Sequence, residues 1–202
     1  MGESLERYCV ETTSKLVGIV LAGGESRRMG RDKGSARYRG EALVSRAYRL
    51  LRGLLPEVYV SLREEQGALQ PYRGLPRIID DGQLSGPAAG LVASWAAHPN
   101  AALCVLAADM PWVDEAMLEQ LLESRDLRAL ATAFVHPDGV PEPLCTIWEP
   151  TALTRVPEAS GSGGISLRRL LEQGPACLIS PRQPERLRSI NTPEDLRRPA
   201  PS

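Results

Sequence analysis

The residue types best suited to chemistry lie in one string, Leu21-Ala22-Gly23-Gly24-Glu25-Ser26-Arg27-Arg28-Met29-Gly30-Arg31-Asp32-Lys33, directly after an apolar run. Glycines let a backbone approach a phosphate closely, and successive N–H groups can form an anion nest. Arg28 and Lys33 supply cations suited to a polyphosphate. The bland alternative is a glycine turn with a solvated basic face. Spacing excludes the two commonest phosphate loops. A P-loop requires G-x-x-x-x-G-K-[ST], but here Gly30 precedes Arg31 and Lys33 precedes Gly34. A dinucleotide fingerprint requires G-x-G-x-x-G, which Gly23, Gly24 and Gly30 do not satisfy. Asp109 ends a second apolar run and can hold Mg²⁺ with phosphate oxygens and water completing the shell; its other reading is a turn or cap residue before Val113. Asp80 and Asp81 are adjacent, so on an extended chain they point oppositely and one can face a nucleotide; the other reading is a solvated turn before Gly82. Gly86-Pro87-Ala88-Ala89-Gly90 opens a helix with small residues that a base or a backbone can approach.

These positions need elements to hold them. The run over 15–26 is apolar up to its paired glycines, which suits a strand buried on both faces. Leu43, Val44, Ala47, Leu50, Leu51 and Leu54 recur at helical spacing, predicting a helix over 41–55. Further strands are predicted over 57–62, 76–79, 101–108, 129–135 and 176–179, with helices over 86–97, 113–123 and 165–173. A strand over 144–148, antiparallel in one reading, and another over 186–190 complete the set. Loops are expected over 66–74, 137–143 and 160–164. Thr192 reads as an N-cap, with Pro193 at the first position of a final helical turn and acids following it. Alternating strands and helices predict an α/β domain, a mostly parallel sheet with helices on both faces. In such sheets ligands bind beyond the carboxyl ends of strands, where the glycine string and Asp109 fall. The expected organisation is an extension over 1–15, one domain over 16–198 and a frayed tail over 199–202.

Composition narrows the class. The chain has 202 residues, 43% hydrophobic and 24% charged, with a net charge of -1, which excludes wholesale disorder and disfavours nucleic acid as a partner. No apolar run approaches the roughly 18–20 residues of a membrane span. Cys9, Cys104, Cys145 and Cys177 are scattered and only His98 and His136 are present, which argues against structural zinc. Cys104 and Cys145 sit in apolar runs and read as buried small hydrophobes. The N-terminus lacks the pattern of a secretory or transit signal, so the cytoplasm is expected. Of 24 basic residues only Lys15 and Lys33 are lysines, which sets Lys33 apart.

The string L-A-G-G-x-S-x-R-M-G-x-D-K resembles the signature of the molybdenum cofactor guanylyltransferases, a branch of the nucleotidyltransferases. The resemblance continues in order from about Leu16 to Leu196, through Asp81, Gly86-Pro87-Ala88-Ala89-Gly90, Asp109-Met110-Pro111, Glu142-Pro143-Leu144 and Asn191-Thr192-Pro193-Glu194-Asp195-Leu196. It implies a single Rossmann-like three-layer domain and transfer of GMP from GTP to the phosphate of molybdopterin carrying molybdenum, with release of pyrophosphate. It implies that Leu21, Ala22, Gly23, Gly24, Ser61, Asp81, Gly86 and Pro87 meet the nucleotide, and that Arg28, Lys33 and Asp109 act on its phosphates. Asp109 would hold Mg²⁺, and Asn191 and Ser189 would lie near the acceptor. Transient contact with molybdoenzyme maturation proteins is a further implication. Ser61 and Ser189 depart from the asparagines frequent in the family; a hydroxyl remains but reach and the amide are lost. Arg168 and Arg169 can meet an acidic acceptor or simply face solvent.

Two other readings stay open. One is a related nucleotidyltransferase using CTP or another phosphorylated acceptor. The other is a non-catalytic nucleotide-binding paralogue, against which Arg28, Lys33 and Asp109 together argue.

Overall fold

The computed structural model describes residues 14–23, 32–80, 84, 86–161, 164–192 and 194–200. Seven strands form its sheet: β1 (Leu16–Leu21), β2 (Val58–Leu62), β3 (Arg77–Ile79), β4 (Ala102–Ala107), β5 (Ala131–Val135), β6 (Pro141–Trp148) and β7 (Ala176–Ile179), in the order β7-β5-β6-β4-β1-β2-β3. Only β6 runs against its neighbours; the pairs β1–β4, β1–β2, β2–β3 and β5–β7 are parallel. Four helices cover the faces: α1 (Leu43–Leu54), α2 (Pro87–Ala97), α3 (Glu115–Glu123) and α4 (Leu167–Gln173). The chain folds as the expected three-layer α/β domain.

The central strands explain the layers. Val17, Ile19 and Leu21 of β1 face one core with Leu91 and Trp95 of α2 and Leu170 of α4. Val20 of β1 faces the other core with Val44 and Leu51 of α1 and Met117 and Leu118 of α3. Apolar groups are therefore required on both faces, and the runs are continuous for that reason. Among the described residues no helix is long and apolar enough to cross a membrane.

Four expectations change. The loop over 160–164 holds a short antiparallel pair, Ser160–Gly161 with Gly164–Ile165. The loop over 66–74 contains two 3-10 turns, Glu64–Ala68 and Gln70–Tyr72. The loop over 137–143 shrinks to a turn at Gly139, where φ is +82°, and 141–143 already belong to β6. Pairing of β6 with β4 begins only at Cys145, so Pro141 and Pro143 lie where one strand edge has no partner and a missing N–H costs little. No strand forms over 186–190. Pro184–Leu187 is a 3-10 turn, and the segment then crosses the carboxyl end of the sheet, with the Ile190 N–H donating to the Asp109 carbonyl at 2.7 Å.

Candidate active site

β1 is the point where the order of the sheet reverses. The chain leaves it toward β2 and β3 on one side and returns to β4 on the other. A crevice opens there beyond the strand ends. Leu21-Ala22-Gly23 from β1, Ser61 from β2, Asp80 after β3 and Ala107-Ala108-Asp109 from β4 line it. Gly86, Pro87 and Gly90 of α2 and Leu144 of β6 complete the wall with Lys33 and Gly34.

Close packing forms the α2 side. A Cβ on Gly90 would lie 2.5 Å from Ser61 Oγ and 2.8 Å from Leu21 Cδ2, so only glycine lets the helix sit this near β1 and β2. Gly86 caps the helix with φ of +73° and no side-chain cap, and with Pro87, which has no N–H, it puts the N-terminal end of α2 on the crevice wall. That end of a helix favours negative charge.

Three distant parts of the chain meet at the opposite wall. Lys33 Nζ pairs with Asp109 Oδ2 and donates to Asn191 Oδ1 at 2.9 Å. Asp109 and Lys33 are each 19% exposed, so the pair is partly shielded from solvent. Asp109 Oδ1 is buried and has no hydrogen-bond partner among the described residues. An orphaned carboxylate oxygen on a residue lining the crevice could serve as a metal ligand. Among the described residues no cluster of three acidic, histidine or cysteine side chains could hold a metal unaided, so substrate oxygens and water would have to complete the shell. Asp109 does lie in a turn, closed by the Met110 N–H donating to the Ala107 carbonyl at 3.2 Å, but it is not a cap: Asp114 caps α3, accepting from the Met117 N–H at 3.1 Å.

The C-terminal segment is fixed from beneath. Ile190 is fully buried against Tyr38, Leu43 and Trp112, and the Trp112 indole N–H donates to the Tyr38 hydroxyl at 3.1 Å. Asp195 accepts from the N–H groups of Asn191 and Thr192, at 3.1 Å and 3.0 Å, and its own N–H donates to the Thr192 hydroxyl at 3.2 Å. Donation from the Asn191 N–H and the Thr192 hydroxyl holds the Asp195 carboxyl below its usual range. Thr192 thus accepts from the Asp195 N–H as a cap would, while the regular 3-10 turn over Asp195–Arg197 starts later, with Glu194 at its cap position. Ser189 flanks the site, its carbonyl accepting from Asn191 Nδ2 at 3.5 Å.

The structure brings Leu21, Ala22, Gly23, Lys33, Ser61, Gly86, Pro87 and Asp109 together around the crevice, with Asn191 held against Lys33. Gly24, Arg28 and Asp81 lie outside the described residues. Arg168 and Arg169 face solvent on α4. Sequence reasoning left Asp80 open against Asp81, and Asp80 lines the crevice with Oδ2 about 3.1 Å from where a Gly23 Cβ would stand. It missed Gln66 and Tyr72 entirely, because both lie in what read as loop.

A family model described as a MobA-like NTP transferase domain matches residues 18–177. The molybdenum cofactor guanylyltransferase of Pseudomonas putida strain KT2440 is 33% identical over 185 residues, 88% of this chain and 94% of that protein. The probable molybdenum cofactor guanylyltransferase of Opitutus terrae is 38% identical over 91% of this chain and 88% of its own length. The chain spans about half, 52%, of a Synechocystis molybdenum cofactor biosynthesis bifunctional protein that is 32% identical to it. Among solved structures, molybdopterin-guanine dinucleotide biosynthesis protein A from Archaeoglobus fulgidus superposes with a TM-score of 0.73 at 25% identity, covering 90% of this chain and 94% of that one. The chain belongs to the MobA-like NTP transferases and is a nucleotidyltransferase.

Proposed function

We propose that the protein transfers GMP from GTP to the phosphate of molybdenum-carrying molybdopterin and releases pyrophosphate. The observation that carries this reading is the juxtaposition of Lys33, Asn191 and the orphaned Asp109 Oδ1 beside a crevice open to the N-terminus of α2. The names of the relatives support the guanylyl and molybdopterin parts.

Such a transfer needs no protein nucleophile, since the attacking phosphate oxygen is already anionic. The barrier is charge repulsion and the charge left on pyrophosphate, so positioning and electrostatics dominate. In this reading the base and ribose lie along Leu21–Gly23, Ser61 and α2, with Asp81 or Asp80 accepting from the guanine edge or the ribose. Lys33, with Arg28 from the glycine string, neutralises the phosphates. Asp109 Oδ1 would hold Mg²⁺, which when bound neutralises and orients triphosphate oxygens. Asn191 and Ser189 face the acceptor side. Free thiols at Cys104, Cys145 and Cys177 fit a reducing compartment, and the cytoplasm is the proposed location.

Thermal shift with GTP, CTP, ATP and UTP, each with Mg²⁺, tests the reading. GTP at 100 times its Kd should add about 2.7 kcal/mol of stability. A larger shift with CTP would favour a cytidylyl-type enzyme instead.

A further inference from the structure

Gln66 is 4% exposed and Tyr72 fully buried, although both belong to short 3-10 turns between β2 and β3. The Gln66 amide nitrogen donates to the Ala22 carbonyl at 2.9 Å and to Asp32 Oδ1, while its oxygen accepts from the Arg63 N–H at 2.9 Å. The Tyr72 hydroxyl donates to Asp32 Oδ2 at 2.7 Å, where the Ser35 N–H also donates at 2.7 Å. A Cβ on Gly34 would collide with the Tyr72 hydroxyl, so the backbone just after Lys33 is pressed against this phenol. Burial, with the Asp32 charge added, pushes the Tyr72 phenol well above its usual range, so it stays a donor.

We infer that Gln66 and Tyr72 are positioning residues for Lys33. One amide ties Ala22, at the end of β1, to Asp32, the residue before Lys33. Only an amide side chain of this length can donate to two acceptors and accept from a third group at once. Asp32 takes three donors through its two oxygens and is thereby committed to holding the backbone. The mount sets where the lysine side chain starts, and the contacts with Asp109 and Asn191 set where its ammonium ends. This inference rests on the reading of Lys33 as the cation that meets nucleotide phosphate.

The test is a set of double-mutant cycles on the full chain. Gln66→Ala, Gln66→Met and Tyr72→Phe are made alone and with Lys33→Ala. Affinity for GTP and, separately, for CTP is measured by calorimetry with Mg²⁺, beside turnover and melting temperature. Each single change should weaken nucleotide binding or kcat/KM roughly ten- to a hundredfold, as expected for a misplaced charge. In the Lys33→Ala background the same change should have little further effect, because the group being positioned is gone. Gln66→Met, which keeps volume without the hydrogen bonds, should behave like Gln66→Ala; Gln70→Ala on the exposed side should match the parent. Additive losses in the Lys33→Ala background, or parental behaviour of Gln66→Met, would overturn the inference. If Gln66→Ala melts below the assay temperature, Gln66→Met and Tyr72→Phe decide. A parent that binds CTP and not GTP would refute the guanylyl reading alone, and the cycles would then be read with CTP.

Discussion

The two carboxylate oxygens of Asp109 have different surroundings: Oδ2 pairs with Lys33, and Oδ1 is buried without a partner among the described residues. Asp109→Asn keeps the size and removes the charge. Turnover should fall by orders of magnitude, since a metal is asked for several kcal/mol of charge stabilisation. The melting temperature should stay within a few degrees, which separates loss of chemistry from loss of fold. Lys33 fits between Asp109 and Asn191 as a compact point charge. An arginine is a broad planar fork, and Lys33→Arg should cost about a hundredfold in turnover despite equal charge. Steady-state kinetics at saturating GTP measure this; unchanged turnover and affinity would remove Lys33 from the chemistry. Both residues were legible in the sequence because Lys33 ends the glycine string that follows β1 and Asp109 closes the apolar run of β4. Gln66 was not, because nothing in Glu64-Glu65-Gln66-Gly67 marks a side chain that turns inward.

At the scale of elements, what could be read depended on periodicity. β1 and β4 carry unbroken apolar runs because both faces are covered, and α1 carries a 3.6-residue stripe because one face is. The segment 186–190 misled for a related reason. Its buried residues, Leu187 and Ile190, are three apart, which does not suit a strand whose side chains alternate. They anchor a strap across the sheet end instead. α2 shows what a helix must give up to form a binding wall. Alanine at position 90 would gain about 0.5–1 kcal/mol in helix propensity, but its Cβ has no room beside Ser61 and Leu21. Gly90→Ala should therefore destabilise by about 1–3 kcal/mol and weaken nucleotide binding. Melting curves and a GTP titration read the two effects, and an unchanged affinity would mean that the wall can yield.

For the whole molecule, the alternation of strands and helices made the layers legible, and the strand order was out of reach of periodicity. Order decides where the crevice lies. Cys104 and Cys145 report on the same core. Cys145 is fully buried and Cys104 nearly so, and burial pushes the Cys104 thiol up to about 12 and the Cys145 thiol well above its usual range. Thiol-specific labelling of the native protein should modify the half-buried Cys177 and spare these two until the sheet opens. Mass spectrometry after timed labelling checks this. Early modification of Cys104 would mean that β4 opens locally.

The strap that brings Asn191 to Lys33 also has a consequence in time. Lys33 and Asn191 are 158 residues apart, and Lys33 and Asp109 are 76 apart. Domains fold as units. Every strand of the sheet precedes Asn191 in the chain, so the contact between Lys33 and Asn191 is the last of the site's contacts whose residues exist during synthesis. A chain that stops before Asn191 carries every strand and lacks that contact.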